Sequence, residues 1–451
     1  MILFGSVGLL ASCYSQEASN SKIEARPPNI IFLLTDDQRW DALGFAGNDV
    51  IQTPHLDDLA RDGIYFRNAY VTSSICAVSR ASILTGQYAR RHGIWDFGTS
   101  LSDAAFADTY PMLLRRAGYR TGFIGKFGVG RNLPERQFDY WRGFRGQGTY
   151  EHQDRQGRSV HLTRLISELA SEFLRGNPKD KPFALSISFK APHAPFHYDS
   201  AYEAVYSSTI IPEPSNASVD SWERFPSFFK ANNRGRASWQ SRFSTPEKYQ
   251  SRVKAYYRLI TGVDDSIGRI RMELEKLGLS DNTVLLFASD NGFYLGAHGL
   301  GGKWYGHEES IRIPFILYDP RMPAERRGQI LEQMVLNIDV APTLLSLANL
   351  PVPAQMQGQD LTALMRENSP EWRKDFLYEH LFDEPNILKS EGVIESRYKL
   401  LRYIDQDPPF EQLYDLKRDP LETTNFAEDP EYADLKQRLQ ERLRVLKTQL
   451  R

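Results

Sequence analysis

Three continuous apolar runs and the helical patterns between them determine the architecture expected of this chain. The runs are rich in β-branched residues and do not alternate with polar positions, which is typical of strands buried on both faces of a parallel sheet. They cover Asn29 to Leu34, Phe183 to Phe189 and Thr283 to Ala288. Amphipathic helical patterns cover Thr53 to Asp62, Tyr110 to Ala117 and Glu247 to Leu277. Strands that alternate with helices predict an α/β fold with a large, doubly wound mixed sheet flanked by helices.

The C-terminal part of the chain has a different pattern. Gln357 to Glu371 fits a helix followed by a polar linker. Beyond it, Tyr398 to Tyr403 and Gln412 to Leu416 fit short antiparallel strands, and Tyr432 to Leu450 fits an amphipathic helix. We therefore predict an N-terminal α/β domain over residues 28–368 and a small C-terminal subdomain of antiparallel strands and a helix over residues 369–451.

The first 27 residues have the pattern of an export signal followed by a polar tether. Met1 to Ala11 is apolar but much shorter than the roughly 20 residues that a helix needs to cross a bilayer. Leu10-Ala11-Ser12-Cys13 resembles the bacterial lipobox, in which the cysteine is acylated and becomes the mature N-terminus. This predicts a periplasmic or cell-surface lipoprotein that meets a membrane only through a lipid anchor on Cys13. Plain secretion and an ordinary apolar N-terminus are the alternatives.

Charge and cysteine content exclude several classes of protein. The 451 residues include 55 Lys and Arg against 57 Asp and Glu, a net charge of -2. Such a balance gives no overall attraction for nucleic acid or an anionic membrane, so any attraction for an anion must be local. Two cysteines in a chain of this length exclude a disulfide framework.

Two acidic clusters follow two of the predicted strands. Asp36 and Asp37 come after the first strand, and Asp290 and Asn291 come after the last. Ligands of open α/β sheets bind outside the carboxyl ends of the strands, so both clusters should face one crevice. Their hard oxygen atoms suit Ca²⁺, with Mg²⁺ as the lesser option. Taken singly, either cluster could instead cap a helix or form a turn.

Cys76 precedes a short helical pattern that extends from about Ala77 to Thr85. Arg80, four residues further on, would lie on the same helix face as Cys76. Free backbone N–H groups at a helix N-terminus beside a guanidinium group suit a tetrahedral oxyanion. The alternative is that Cys76 is a small buried hydrophobic residue or a reactive thiol of another kind.

The segment Cys76-Ala77-Val78-Ser79-Arg80, followed by Leu84-Thr85-Gly86, resembles the signature of the formylglycine-dependent sulfatases in the alkaline phosphatase superfamily. The resemblance extends from the Asn-Ile-Ile-Phe-Leu-Leu-Thr-Asp-Asp-Gln opening to a C-terminal pattern that begins with Leu-Tyr-Asp-Leu at 413–416, continues with Asp-Pro at 419–420 and ends with Glu-Thr-Thr-Asn at 422–425. It implies that a maturase oxidises Cys76 to formylglycine, whose hydrate attacks sulfur. Residues 28–368 would then form the catalytic domain.

The resemblance also implies the roles of the other site residues. One Ca²⁺ per chain would be held by four oxygen ligands and would also contact the modified cysteine; the ligands are Asp36, Asp37, Asp290 and Asn291. Arg80 would stabilise the hydrate. The basic residues matched by motif to the substrate side are Lys126, His193 and Lys303, and either of the last two is the candidate general acid.

Two positions depart from the family pattern. Val78 replaces the usual proline in the segment that the maturase reads, and Gly128 replaces a histidine that helps to eliminate sulfate. We take His298 and His307 as hypothetical replacements for that histidine on the substrate side of the site.

Two basic, aromatic segments, Trp141 to Arg164 and Trp222 to Arg242, suit an anionic polysaccharide, with Arg142 and Trp239 as candidate contacts. They could equally be ordinary solvated insertions. We expect a sulfated oligo- or polysaccharide substrate, for example an algal galactan such as carrageenan, with a glycosaminoglycan as the alternative, and no nucleic acid partner. The competing functions are a phosphodiesterase or phosphonate monoester hydrolase and a catalytically silent sulfoglycan-binding lipoprotein.

Overall fold

The computed structural model describes residues 26–154, 156–366 and 371–450. The predicted leader and its lipidation residue Cys13 lie outside these ranges. The predicted domain boundary between residues 368 and 369 also falls outside them, so the division of the chain at that point stays a prediction.

The strands of the described ranges are, in chain order, β1 (Asn29–Thr35), β2 (Ile64–Phe66), β3 (Ala69–Tyr70), β4 (Arg120–Lys126), β5 (Tyr140–Phe144), β6 (Glu151–Gln153), β7 (Ser159–His161), β8 (Phe183–Ser188), β9 (Thr283–Ser289), β10 (Phe315–Tyr318), β11 (Gln329–Leu331), β12 (Val335–Leu336), β13 (Asp375–His380), β14 (Ser390–Glu395), β15 (Tyr398–Tyr403) and β16 (Phe410–Asp415).

The α-helices of the same ranges are α1 (Pro54–Asp62), α2 (Cys76–Thr85), α3 (Ala89–His92), α4 (Asp103–Ala107), α5 (Tyr110–Arg116), α6 (Leu162–Arg175), α7 (Val219–Glu223), α8 (Ser227–Lys230), α9 (Arg234–Arg242), α10 (Pro246–Lys276), α11 (Glu308–Ile311), α12 (Val340–Leu347), α13 (Thr362–Arg366) and α14 (Ala433–Gln449).

The predicted large mixed sheet is confirmed. It has eight strands in the order β11-β2-β10-β9-β1-β8-β4-β5. The three strands predicted from apolar runs are its centre, because β1 pairs in parallel with both β8 and β9. Leu34 lies opposite Ser188 of β8, and Thr35 lies opposite Ser289 of β9, so the carboxyl ends of the three strands meet. Strand β10 runs antiparallel to β9 and makes the sheet mixed.

Strand β1 supplies side chains to two separate cores, one on each face of the sheet. Ile30 and Phe32 belong to the core that includes residues of α2, α5 and α12. Ile31 and Leu33 belong to the core that includes residues of α6 and α10. Because successive side chains of a strand point to opposite faces, this division explains why β1 is apolar at nearly every position.

The predicted C-terminal strands and helix are also confirmed. Strands β13 to β16 form a four-stranded antiparallel sheet, and α14 packs against it. Tyr398 to Tyr403 is a strand with the predicted bounds. The helix predicted from position 357 is only the short α13. Within the described ranges, no helix is both long enough and apolar enough to cross a membrane.

Replacing Leu443 with alanine tests the docking of α14. Leu443 is 1% exposed, and its loss should leave a cavity that costs about 2–5 kcal/mol of unfolding free energy. Gln449→Ala, a change at an exposed position of the same helix, should alter stability by no more than about 0.5 kcal/mol. Thermal unfolding of both variants measures the difference. Equal melting temperatures would contradict the packing described here.

Candidate active site

Two acidic turns meet at the carboxyl ends of the central strands. Asp36 and Asp37 follow β1, and Asp290 and Asn291 follow β9. The backbone N–H of Asp37 donates to Oδ1 of Asp290 at 3.1 Å, and Nδ2 of Asn291 donates to Oδ1 of Asp37 at 2.6 Å. All four side chains are buried. The structure thus brings together the four residues that the sequence suggested as metal ligands.

The backbone of Asp37 is held in an unusual conformation. Its φ is +69°, in the left-handed region that residues with a Cβ seldom adopt. The hydroxyl of Tyr256 donates to the Asp37 carbonyl oxygen at 2.7 Å, which helps to hold this turn. Strain of this kind persists only where the surrounding structure enforces it, and it is frequent at functional sites.

Cys76 lies beside the acidic turns at the start of α2. Its Sγ is 3.3 Å from Oδ1 of Asp36 and 2.8 Å from Nζ of Lys303. Burial, with a smaller contribution from the Asp36 carboxylate, raises the pKa of the Cys76 thiol to about 12. The unmodified side chain is therefore a protonated thiol at neutral pH, which is a poor nucleophile.

Arg80 joins the helix to the sheet. Its Nε donates to Oδ2 of Asp290 at 2.8 Å, and its Nη2 lies 3.6 Å from Oδ2 of Asp36. Its Nη1 donates to the backbone oxygen of Lys126 at 2.7 Å and to Oγ of Ser188 at 2.6 Å. Both Arg80 and Asp290 are almost fully buried, so this guanidinium group neutralises carboxylates that water does not solvate.

Two lysines pair with the remaining carboxylates. Nζ of Lys126 donates to Oδ2 of Asp36, and Nζ of Lys303 donates to Oδ1 of Asp37. Burial favours the neutral carboxyl of Asp36, but the nearby cations, Lys126 first, hold its pKa well below the usual value. Burial likewise opposes the charge on Lys303, yet Asp37 and its other anionic neighbours raise its pKa well above the usual value. The three cations and three carboxylates of the site therefore balance one another.

His193 flanks Asp37 from the turn that follows β8. Its Nε2 is 3.7 Å from Oδ2 of Asp37, and its Nδ1 lies 2.5 Å from the carbonyl oxygen of Ala194. Burial lowers the pKa of His193 to about 3. The imidazole is thus neutral at physiological pH in this arrangement.

The donor set fits a hard divalent cation. Oδ1 of Asn291 is buried and has no hydrogen-bond partner among the described residues, as expected of an oxygen that awaits a cation. Burial raises the pKa of both Asp37 and Asp290, and the charge of Asp36 raises each further. An ion among these oxygens would relieve that repulsion, and oxygen ligands of this kind suit Ca²⁺ or Mg²⁺.

Gly128, the position that departs from the family pattern, lies directly against Arg80. Its φ is +74°, and an added Cβ would come within 2.7 Å of Cδ of Arg80. No side chain could occupy this position without moving the arginine. A histidine at this position would therefore have to displace the Arg80 side chain.

Among the described contacts, neither His298 nor His307 touches Cys76, so nothing in the structure supports the hypothesis that they replace that histidine. Nε2 of His298 lies 3.1 Å from Nδ2 of Asn216, and Nδ1 of His307 lies 2.6 Å from the hydroxyl of Tyr294. The two imidazoles are buried and pack on each other, with ring centroids 4.6 Å apart. They belong to a separate polar cluster inside the protein.

Arg142 and Trp239 are also engaged elsewhere. The Arg142 guanidinium lies 3.6 Å from Glu172, in the last turns of α6, and 4.8 Å from the ring centroid of Tyr140. Arg120, at the start of β4, donates a hydrogen bond to this same end of α6. The end of α6 therefore lies near the amino ends of the strands, away from the site at their carboxyl ends. Trp239 stacks with the Arg236 guanidinium at 3.9 Å. Substrate contact by Arg142 is therefore not supported by its position.

Two polar contacts of the site were not foreseen from the sequence. Oε1 of Gln147 accepts a hydrogen bond from Nζ of Lys126 at 2.7 Å, and Ser188 binds Arg80. Ser188 ends β8, so the rule that located the acidic turns at strand ends also points to it. Gln147 lies between Gly146 and Gly148, both with positive φ, and this pair of glycines is the signal of a tight loop.

The fold and the buried site define a member of the alkaline phosphatase superfamily. The family profile described as "Sulfatase" matches residues 28–350, and the profile described as "N-sulphoglucosamine sulphohydrolase, C-terminal" matches residues 296–449. Within that superfamily the chain belongs to the sulfatase family and is a sulfuric ester hydrolase.

Several known proteins are similar to this chain over most of their length. The chain is 30% identical to the N-acetylglucosamine-6-O-sulfatase of Bacteroides thetaiotaomicron, over 96% of this chain and 88% of that protein. It is 28% identical to an ulvan-active sulfatase of Formosa agariphila, over 93% and 81%. A solved structure described as a complex with its substrate D-glucosamine-2-N,6-O-disulfate has a TM-score of 0.81 at 28% identity, covering 94% of this chain and 98% of that one.

The phosphonate monoester hydrolase of Agrobacterium radiobacter has the same TM-score of 0.81, at 22% identity, covering 94% of this chain and 96% of that one. At this identity the likeness shows a shared fold.

Replacing Arg80 with methionine tests the electrostatic balance of the site. The change leaves Asp290 as a buried carboxylate without its ion-pair partner and should cost about 3–5 kcal/mol of unfolding free energy. Arg115→Met breaks a surface pair with Asp139 and should cost less than about 1 kcal/mol. Thermal unfolding after EDTA treatment compares the two variants without a compensating cation. A loss at Arg80 no larger than that at Arg115 would contradict the account.

Proposed function

We propose that this sulfatase hydrolyses a sulfate monoester of a sulfated carbohydrate, using formylglycine made from Cys76 and one Ca²⁺ held by Asp36, Asp37, Asp290 and Asn291. The observation that carries the proposal is the meeting of the two acidic turns with Cys76 at the start of α2, within a shell of buried cations. The placement of Sγ 3.3 Å from Asp36 supports a shared site for the modified residue and the ion.

The named relatives support a sugar substrate. The two similar sulfatases are described by their action on N-acetylglucosamine-6-O-sulfate and on ulvan, and the similar solved structure is described with glucosamine disulfate. We propose a 6-O-sulfated glucosamine as the first candidate. A carrageenan-type galactan stays the second candidate, and the substrate assay below separates the two.

The charges of the site suit a sulfate ester. Asp36, Asp37 and Asp290 are matched by Arg80, Lys126 and Lys303, so a bound divalent cation would leave the site with an excess of positive charge for the sulfo group. Charge fixed in advance around a buried site stabilises negative charge that develops on the reacting oxygens. The ion pairs of Lys126 with Asp36 and of Lys303 with Asp37 would then weaken, and both ammonium groups could bind the substrate.

The chain's own residues position the reactants. Lys303 borders the side chain at position 76, and Arg80 lies one helical turn further along α2. Lys126, oriented by Gln147, would border the sulfo group. The departing sugar oxygen needs a proton, and Lys303 and His193 are the candidate donors. Lys303, paired with Asp37, is held protonated, whereas His193 is neutral in this arrangement and would have to gain a proton first. When bound, Ca²⁺ supplies Lewis-acid charge, and formylglycine supplies a geminal diol as the nucleophile.

We propose that a maturase partner converts Cys76 before the site closes. Cys76 and Val78 are each 1% exposed in the folded chain, so their backbone is out of reach of another protein. Conversion of the unfolded segment during export would avoid this obstacle. Val78 packs with Ile75 and Ala89, which suits the fold without the usual proline.

The rival functions differ in what they require. A phosphonate monoester hydrolase shares the fold, and its substrate would release phosphonate instead of sulfate. A catalytically silent sulfoglycan-binding protein would keep the thiol of Cys76 and release nothing. Measuring the product and the chemical state of Cys76 separates the three functions.

Release of inorganic sulfate is the direct test. We expect the protein, produced with a maturase, to release sulfate from 6-O-sulfated glucosamine, and Cys76→Ala to lower the rate at least about a hundredfold because it removes the nucleophile. The assay includes carrageenan oligosaccharides and a phosphonate monoester, and mass spectrometry of the Cys76 peptide reports its conversion. Phosphonate release without sulfate release, or a peptide that keeps its thiol in an inactive protein, would refute the proposal.

We further propose a periplasmic or cell-surface location with a lipid anchor at Cys13. The support is the resemblance of residues 10–13 to a lipobox. In a bacterial host, the wild-type chain should sediment with membranes and incorporate labelled fatty acid, and Cys13→Ser should do neither. Cys13→Ala serves as a second control for processing. Equal distribution of wild type and variants between the fractions would argue against the anchor.

A further inference from the structure

Lys190 lies next to the site but has no role in the chemistry described above. It follows β8 at the start of the turn that presents His193, whose backbone N–H donates to the Lys190 carbonyl oxygen at 2.9 Å. The backbone N–H of Asp36 donates to the carbonyl oxygen of Ala191 at 3.1 Å. This turn is therefore fixed directly against the first acidic turn.

The ammonium group of Lys190 is buried without a partner. The residue is 1% exposed, and its Nζ has no hydrogen-bond acceptor among the described residues. Nζ lies over the ring of Tyr150, 4.8 Å from the ring centroid. A buried cation without a hydrogen-bonded anion lowers the stability of a protein, so its presence calls for an explanation.

The groups around this ammonium are those of the site. Burial lowers the pKa of Lys190, and the ionisable neighbours that act on it are, in order, Asp36, Lys126, Asp37 and Cys76. Since Nζ pairs with none of these carboxylates, it stands as a free donor at the edge of the cluster.

Tyr150 connects Lys190 to the substrate side of the site. Its hydroxyl donates to the carbonyl oxygen of His193 at 2.6 Å, and its ring stacks on His161 with centroids 5.0 Å apart. These contacts fix the ring over which the ammonium lies. Lys190, Tyr150 and His193 thus form one wall beside Asp36 and Asp37.

We propose that Lys190 is an additional anion-binding residue, whose ammonium group donates a hydrogen bond to the oxygens of the bound sulfo group and to those of the sulfate product. The inference rests on the proposed function for the identity of the anion. With Lys190 the site has four cations against three carboxylates before any metal binds. The cost of burying the fourth charge is then offset when the anion supplies its acceptor.

Inorganic sulfate is the probe for the test. Calorimetry of the Ca²⁺-loaded protein should show that Lys190→Met binds sulfate about tenfold more weakly or worse than wild type, the loss expected for one hydrogen bond between charged groups. Methionine has a similar length and no charge, so the melting temperature should stay equal or rise. Lys181→Met, at an exposed position before β8, is the matched control and should bind sulfate like wild type.

The results of the sulfate-binding experiment test the role of Lys190 independently of the proposed sulfatase function. Unchanged sulfate affinity in Lys190→Met, or no binding by wild type, would overturn it. A melting temperature that falls together with affinity would indicate a structural role and also overturn it. Should the methionine variant fail to fold, Lys190→Gln is measured under the same criteria. A wild-type chain that binds sulfate through Lys190 but releases none from any sugar refutes the proposed function and leaves this inference standing.

Discussion

The site depends on one interlock between the acidic turns at the ends of β1 and β9. The hydrogen bonds that Asp37 makes with Asp290 and Asn291 fix two segments about 250 positions apart in the chain, with Asp37 held at φ +69°. The parallel register of the two strands makes this contact possible, since Thr35 and Ser289 lie opposite each other. Everything else in the site is arranged around the resulting group of carboxylates.

A buried group of carboxylates can exist only if its charge is compensated. Arg80, Lys126 and Lys303 come from three different parts of the chain, and each pairs with one of the acids. The helix that begins at Cys76 carries Arg80, so the ion pair with Asp290 also positions the side chain at 76. Neutralisation of the acids and placement of the reactive residue are therefore one structural arrangement, which links the stability of the site to its chemistry.

The local sequence pattern predicted the strands that are buried among apolar side chains on both faces. It missed the strands whose burial depends on residues distant in the chain. β1, β8 and β9 are buried on both faces and so appear as apolar runs. β4 contains Gly125, where a Cβ would come within 1.9 Å of the Ser188 carbonyl oxygen, and that close approach is invisible in the local sequence. Likewise β13 contains Glu379, which makes the strand look polar in the local sequence. Its ion-pair partner Arg90 lies 289 residues away, so the local sequence does not show that this charge is compensated. His298 and His307 were attractive as isolated histidines, but the chain encloses them in a cluster of their own.

The central claim, that the acidic turns form one metal site beside Cys76, is tested most directly by anomalous diffraction from crystals grown with Ca²⁺. The account predicts a peak within about 2.3–2.6 Å of oxygens from Asp36, Asp37, Asp290 and Asn291, next to the side chain at position 76. A fully ordered site with Lys126 and Lys303 still on the carboxylates and no ion among them at saturating Ca²⁺, or a peak bound by other residues, would contradict it.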